Sequence, residues 1–286
     1  MNTHCDYFGV EATSLINKKL FLFDMDGTIY TDDILFDGTL QLLHYIKNIG
    51  GKYVFVTNNS SKSVGDYVNK INKLGIEADE DNFFTSTQAT ALYIKTQYPG
   101  ANVYCQGTES FIRELRKNGI NITDGISGDV DVVLVGFDTE LTSGKIRKTC
   151  ELLQQDIPYI ATNPDLACPV SFGFIPDCGS ICMMLENATG RKPVYIGKPK
   201  ATMIDAVLTK FNTTKAQAVI IGDRLYTDIA SGQNAGIASI CVLTGEADVK
   251  AILSGNVKPT YTFYSVKEIY ECLNSITEDR SCDEDK

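Results

Sequence analysis

Short apolar runs that end in polar, chemistry-bearing residues recur along the chain. Leu20-Phe21-Leu22-Phe23 is apolar at every position, which predicts a strand buried on both faces rather than one with a wet side. Tyr53-Val54-Phe55-Val56 and Ala218-Val219-Ile220-Ile221 repeat the pattern, and Val194-Tyr195-Ile196 is a shorter version. Segments of helical period lie between them. Thr39 to Asn48 predicts a helix stopped by Gly50-Gly51, Val64 to Leu74 a second ended by Gly75, and Thr202 to Phe211 a third. Ser239 to Leu243 reads as a further buried strand. Strands alternating with helices predict an α/β fold with a parallel sheet.

The residues that follow each run carry the functional signal. Asp24 and Asp26 leave the first strand just before Gly27, a residue that lets the chain turn sharply without a Cβ clash. The second run ends in Thr57-Asn58-Asn59-Ser60 and the short one in Gly197-Lys198-Pro199. The last ends in Gly222-Asp223-Arg224, with Asp228 five positions beyond Asp223. Ligands of open parallel sheets sit outside the carboxyl ends of the strands. Asp24, Asp26, Thr57, Lys198 and Asp223 are therefore expected to converge on one edge, where an acid pair suits a divalent cation and a phosphorus centre. Each segment also has a plainer account. Asp-Gly is a common turn, Thr57-Asn58-Asn59 an Asx-rich turn capping a helix, Lys198 a solvated charge, and Asp228 a helix N-cap or surface acid. It is the ordered set of four that argues for a single site.

From about Thr85 to about Glu186 the alternation continues with different chemistry. Val103-Tyr104, Val132 to Val135 and Tyr159 to Ala161 read as strands, and Phe111 to Asn118 and Ser143 to Gln154 as helices. Only Phe137-Asp138 repeats the acid-after-strand design. A self-contained α/β insert, residues 85–186, is expected between core segments 1–84 and 187–286 and over the active edge as a cap.

The ordered set DxDGT, TNNS, GKP and GDRxxTD resembles the four motifs of the haloacid dehalogenase superfamily. Acid at both Asp24 and Asp26 resembles its phosphatase branch, and the long insert its class II caps, subclass A. Val135 to Asp138 and Thr162 to Asp165 are similar to the 4-nitrophenylphosphatase/NagD-like family, and the resemblance runs from about Lys18 to about Tyr270. It implies a Rossmann-like parallel-sheet core with an inserted α/β cap domain. One departure concerns the cap. Many relatives carry Pro-Gly-x-Gly where this chain has Pro176-Asp177-Cys178-Gly179-Ser180, which bears on substrate rather than on the catalytic set.

The resemblance implies a Mg²⁺-dependent phosphatase for small phosphomonoesters, with 4-nitrophenyl phosphate as an artificial substrate. Asp24 is then the nucleophile, since a carboxylate is ionised at neutral pH without an activating base. Asp26 is the acid that protonates the leaving alkoxide and the base that activates water. The implied Mg²⁺ ligands are the side chains of Asp24 and Asp223 and the Asp26 backbone carbonyl, with Asp228 holding a metal-bound water or orienting Lys198. Thr57 and the Asn58 backbone amide bind phosphoryl oxygens and Lys198 neutralises their charge. Asn163, Asp165, Asp177 and Cys178 are cap residues expected to reach the leaving group, although Asn163-Pro164-Asp165 is a good turn in any context. An acid at position 177 is expected to disfavour a second carboxylate on the substrate, as in phosphoglycolate. A phosphotransferase or mutase using the same aspartyl-phosphate is the alternative enzyme. A non-catalytic phosphate-binding regulatory protein is the alternative of another class.

Composition narrows the partners. The formal net charge of −10 argues against nucleic acid, whose phosphates need a basic surface. No apolar run reaches the roughly 18 to 20 residues of a membrane span, and Met1 to Ser14 has no signal-peptide pattern. The nine cysteines are odd in number and scattered, which reads as reduced thiols in a cytoplasm. Cys168, Cys178 and Cys182 invite a zinc site, yet neither His4 nor His44 has ligand spacing to them. The charged tail from Glu278 to Lys286 is expected to fray. The resemblance alone suggests a homodimer through the cap.

Overall fold

Three of the apolar runs lie side by side. In the computed structural model, Leu20–Phe23 is flanked by Lys52–Thr57 on one side and Ala218–Gly222 on the other, with Phe23 level with Phe55 and Ile221. The full sheet has six strands, in the order Tyr261–Phe263, Ala238–Val242, Ala218–Gly222, Leu20–Phe23, Lys52–Thr57 and Phe83–Thr85. Leu20 to Phe23 and Ala218 to Ile221 have no exposed surface, as strands covered on both faces require. Phe55 lies between Phe23 and Phe83, with ring centroids 6.4 and 5.3 Å away. Burying each such side chain contributes roughly 1.5–3 kcal/mol, so the central strands are rigid mounts for whatever follows them. The helices Thr39–Asn48 and Val266–Glu284 pack together through Tyr45, whose ring meets Tyr270 at 6.2 Å and whose hydroxyl donates to Leu273 O.

The structure describes residues 4–125, 129–170 and 172–284, and the chain forms two compact units. One unit contains the chain up to Val56, 70–83 and the chain from Pro199 onward. The other contains Thr57–Asn69 and Phe84–Lys198. The second unit has its own five-stranded parallel sheet, ordered Val194–Tyr195, Tyr159–Ala161, Val132–Val135, Asn102–Gln106 and Asn121–Thr123. Its core joins Val133, Val135, Leu153, Tyr159, Ile181 and Leu185 from that sheet and the helices Ser143–Leu153 and Cys178–Thr189. Asp138, the acid after the strand, is buried and accepts two 3.1 Å hydrogen bonds from Lys145 Nζ. Lys145 also donates to the Gly107 and Glu140 carbonyls, so this pair is a satisfied structural junction.

Some elements differ from the sequence expectation. Val194–Tyr195 pairs with Tyr159–Ala161, so the short run before Lys198 belongs to the second sheet and not to the core sheet. It is only two residues long and half exposed, which leaves the hydrophobic pattern too little to choose a sheet. Two antiparallel pairs, Tyr30–Thr31 with Ile34–Leu35 and Ala167–Val170 with Gly173–Pro176, lack a legible alternation. The last helix runs on to Glu284, through most of the charged tail expected to fray; 285–286 lie outside the described residues. Among the described residues no helix is long and apolar enough to cross a membrane.

Candidate active site

The central strands bring three carboxylates together. Asp24 continues the ladder one residue past Phe23, its N–H donating to Ile221 O at 2.8 Å. Asp223 follows the neighbouring strand directly. Oxygens of Asp24, Asp223 and Asp228 all lie within 4.8 Å of one another. Asp228 is fully buried on a π-helical turn, Leu225–Ile229, where the N–H groups of Asp228 and Ile229 both reach Arg224 O. Such turns are rare and recur at functional sites. Its Oδ2 accepts from Arg224 N at 3.2 Å, and Gly222 lies so close that any Cβ there would strike the Asp228 side chain.

Gly27 meets two requirements at once. Its φ of +80° is the left-handed conformation, and a Cβ there would stand 2.7 Å from Asp223 Oδ2. The turn after the acid pair therefore closes directly on the third acid. Asp223 itself is buried; Oδ2 accepts from Glu246 N at 2.8 Å, whereas Oδ1 is buried with no hydrogen-bond partner. Burial and then the charge of Asp24 push its pKa up to about 6. An orphaned buried oxygen among three hard carboxylates is what a divalent cation would satisfy, so the residues present fit such an ion.

Asp26 is placed differently. Its side chain is 61 % exposed, 3.7 Å from Lys70 Nζ and 3.3 Å from the Tyr30 hydroxyl, and it stands outside the three-acid group. Lys70 lies over the Tyr30 ring at 4.0 Å from its centroid. Neither Tyr30 nor Lys70 carries a sequence signal, since both act through side chains brought close by the fold.

The second unit holds the other motif residues. Thr57 ends its strand and is buried, with Oγ1 accepting from Asn59 N at 3.2 Å, so the Asx-rich turn is real. The Asn58 side chain grips Lys198 from both sides of its backbone: Oδ1 accepts from Lys198 N at 2.8 Å and Nδ2 donates to Lys198 O at 2.9 Å. Nδ2 also meets both Asp165 oxygens, at 3.2 and 3.1 Å. Asn163 is fully buried, donating to Asn58 O at 2.8 Å and accepting from Asp165 N. Lys198 is 2 % exposed. TNNS, TNPD and GKP are thus one hydrogen-bonded network, with Asn163 and Asp165 acting on Asn58.

Asp177 is buried and caps the helix Cys178–Thr189, accepting from Cys178 N. Cys178 is fully buried, its thiol near Val135 O and Thr162 Oγ1, and burial pushes its pKa well up. Among the described residues the three-acid group is the one cluster with metal-ligand spacing; Cys168, Cys178 and Cys182 are not such a group. The segment Thr244–Ala247 carries no sequence signal, since its contacts to Asp223 and Gly27 run largely through the backbone.

Comparison with known proteins identifies the family. Residues 21–121 match the haloacid dehalogenase-like hydrolase family and residues 195–269 a second model of haloacid dehalogenase-like hydrolases. An acid sugar phosphatase of Staphylococcus saprophyticus is 35 % identical over 257 residues, 90 % of this chain and 98 % of that protein. The crystal structure of a 4-nitrophenylphosphatase from Thermotoga maritima superposes with a TM-score of 0.87 at 38 % identity, covering 91 % of this chain and 99 % of that one. The chain belongs to the haloacid dehalogenase superfamily, in its NagD-like phosphatase family. The same fold occurs in a glycerol phosphate phosphatase from Mycobacterium tuberculosis in complex with magnesium. The TM-score is 0.84 at 27 % identity, over 90 % of this chain and 78 % of that one. This phosphatase therefore has the α/β core of its superfamily, with the acids at the carboxyl ends of the central strands.

Proposed function

We propose that this phosphatase hydrolyses small phosphomonoesters, sugar or polyol phosphates among them, with Mg²⁺ held by Asp24, Asp223 and the Asp26 backbone carbonyl. The observation that carries the reading is the group of half-buried Asp24 with buried Asp223 and Asp228, which leaves one orphaned oxygen on Asp223. The bound cation would neutralise charge on the phosphoryl group and on the acids themselves. Asp24 attacks phosphorus, the bond from phosphorus to the ester oxygen breaks, and an aspartyl-phosphate forms. Asp26 gives its proton to the departing alkoxide, then takes one from the water that cleaves the acyl phosphate. Thr57, the Asn58 amide and Lys198 hold the phosphoryl oxygens, with Lys198 fixed by the Asn58 side chain. Asp228 shapes the metal pocket through Arg224 N. The names of the acid sugar phosphatase and the glycerol phosphate phosphatase favour a polyol or sugar leaving group. The α/β insert is proposed to act as the cap, with the protein working in the cytoplasm.

Phosphate release from a panel of esters, with and without Mg²⁺, tests the reading. Metal-dependent release from glycerol, sugar and 4-nitrophenyl phosphates is expected; release that persists unchanged in excess chelator would refute it. Asp26→Asn separates the two proton transfers. Turnover of glycerol phosphate should fall by about 10²–10⁴-fold. Single-turnover liberation of 4-nitrophenolate, a leaving group needing no proton, should fall far less. Equal losses on both would remove Asp26 as the acid.

A further inference from the structure

Asp223 is held from a segment that no motif covers. After the Ala238–Val242 strand the chain passes Thr244, Gly245, Glu246 and Ala247 against the acid group. Thr244 Oγ1 donates to Gly27 O at 2.6 Å, Glu246 N to Asp223 Oδ2 at 2.8 Å and Ala247 N to Asp223 O at 2.9 Å. Gly245 is pressed so closely that a Cβ would enter the Asp223 carboxylate. The segment thus grips the third acid and the turn after the first two.

The Glu246 side chain ties the segment back. Its carboxylate lies 3.2 Å from Arg224 Nε and accepts from the Tyr226 hydroxyl at 3.1 Å. Arg224 directly follows Asp223, and Tyr226 lies on the π-helical turn that carries Asp228. A closed circuit results: Asp223, Arg224, Glu246 side chain, Glu246 N–H, Asp223. Half of the Glu246 side chain is exposed, so an ion pair there contributes little to stability. Its consequence is geometric, because the tether fixes the one N–H that occupies Oδ2 and leaves Oδ1 without a hydrogen bond.

We propose that Glu246, tethered by Arg224 and Tyr226, is a positioning residue that orients the Asp223 carboxylate to present Oδ1 to a divalent cation. The inference rests on the reading that Asp223 is a ligand. Outer partners of metal-ligating carboxylates are worth about 10–100-fold in metal affinity. The plainer account is that Glu246 is a solvated acid and that its backbone alone matters.

Glu246→Ala distinguishes the two, because it keeps the N–H and loses the tether. Calorimetric titration of the metal-free full chain with MgCl₂ alone should show Kd rising about tenfold. The Mg²⁺ concentration for half-maximal hydrolysis should rise equally, with kcat at saturating Mg²⁺ little changed. Glu246→Gln, whose amide oxygen still accepts from the Tyr226 hydroxyl while losing the charge facing Arg224, should restore part of the affinity. Should Glu246→Ala lose its far-UV circular dichroism, Tyr226→Phe, which removes the hydroxyl that Glu246 accepts from at an exposed position, supplies the test with a smaller rise in Kd. Wild-type Kd in a folded Glu246→Ala, or in Tyr226→Phe if the first fails to fold, overturns the inference. Wild-type Kd in Asp223→Asn overturns the ligand assignment beneath it.

Discussion

Asp24→Asn is expected to abolish phosphate release from every ester, by at least about 10⁴-fold, while the chain stays folded. A nucleophile cannot be replaced by its neighbours, and losses of this size follow removal of one. The amide has the same shape as the carboxylate but no charge to attack phosphorus with. The backbone bond from Asp24 N to Ile221 O does not involve the side chain, so the strand end should be undisturbed. The substitution also removes one of three negative charges within 4.8 Å of one another, which favours the folded state. Asp26 stands outside that group and has Lys70 and Tyr30 as neighbours, so it is not placed to take over the attack. Phosphate assayed colorimetrically against a no-enzyme control reads the loss, and a thermal melt checks the fold. Residual release within tenfold of wild type would remove Asp24 as nucleophile.

How far the sequence reveals this arrangement depends on what each residue uses to act. Leu20–Phe23, Lys52–Thr57 and Ala218–Gly222 are legible because strands covered on both faces must be apolar throughout. The helix Thr39–Asn48 has its expected bounds because a glycine pair follows it. Asp24, Asp223 and Asp228 are legible because polar groups at the ends of such strands have few structural reasons to be there. Val194–Tyr195 reads as a strand of the core sheet but pairs in the second sheet, because strand partnership is a tertiary choice that two residues do not encode. Asn58 announces a polar turn, yet its side chain is spent on Lys198, 140 positions away. Thr244–Ala247 is not legible, since a backbone N–H and a missing Cβ contribute no distinctive side chain. Asp177 reads as a substrate-facing acid, and its side chain also caps the helix Cys178–Thr189, a role the sequence alone does not distinguish.

Asp223→Asn should stabilise the metal-free chain at pH 7.5 and destroy its response to Mg²⁺. Burial and the Asp24 charge raise the Asp223 pKa to about 6, above its value in the unfolded chain. Between those values the folded state binds more protons than the unfolded state, so stability falls as pH rises. The contribution of the protonated acid is complete below about pH 4 and is lost as pH passes through about 6. A shift of about two units corresponds to roughly 3 kcal/mol. Asparagine removes that penalty, can still accept from Glu246 N, and gains a donor toward the remaining acids. The metal-free variant should melt about 5–10 °C above wild type at pH 7.5, with the gap closing near pH 4.5. Saturating Mg²⁺ should reverse the order, since a ligand at 1,000 times Kd adds about 4.1 kcal/mol to a chain that binds it. An equal gap at both pH values would mean that the substitution acts through packing. A Mg²⁺ response retained by the variant would mean that the cation lies elsewhere. The same orphaned oxygen thus makes opposite demands in the two states: it opposes folding of the empty site and supplies the affinity that fills it.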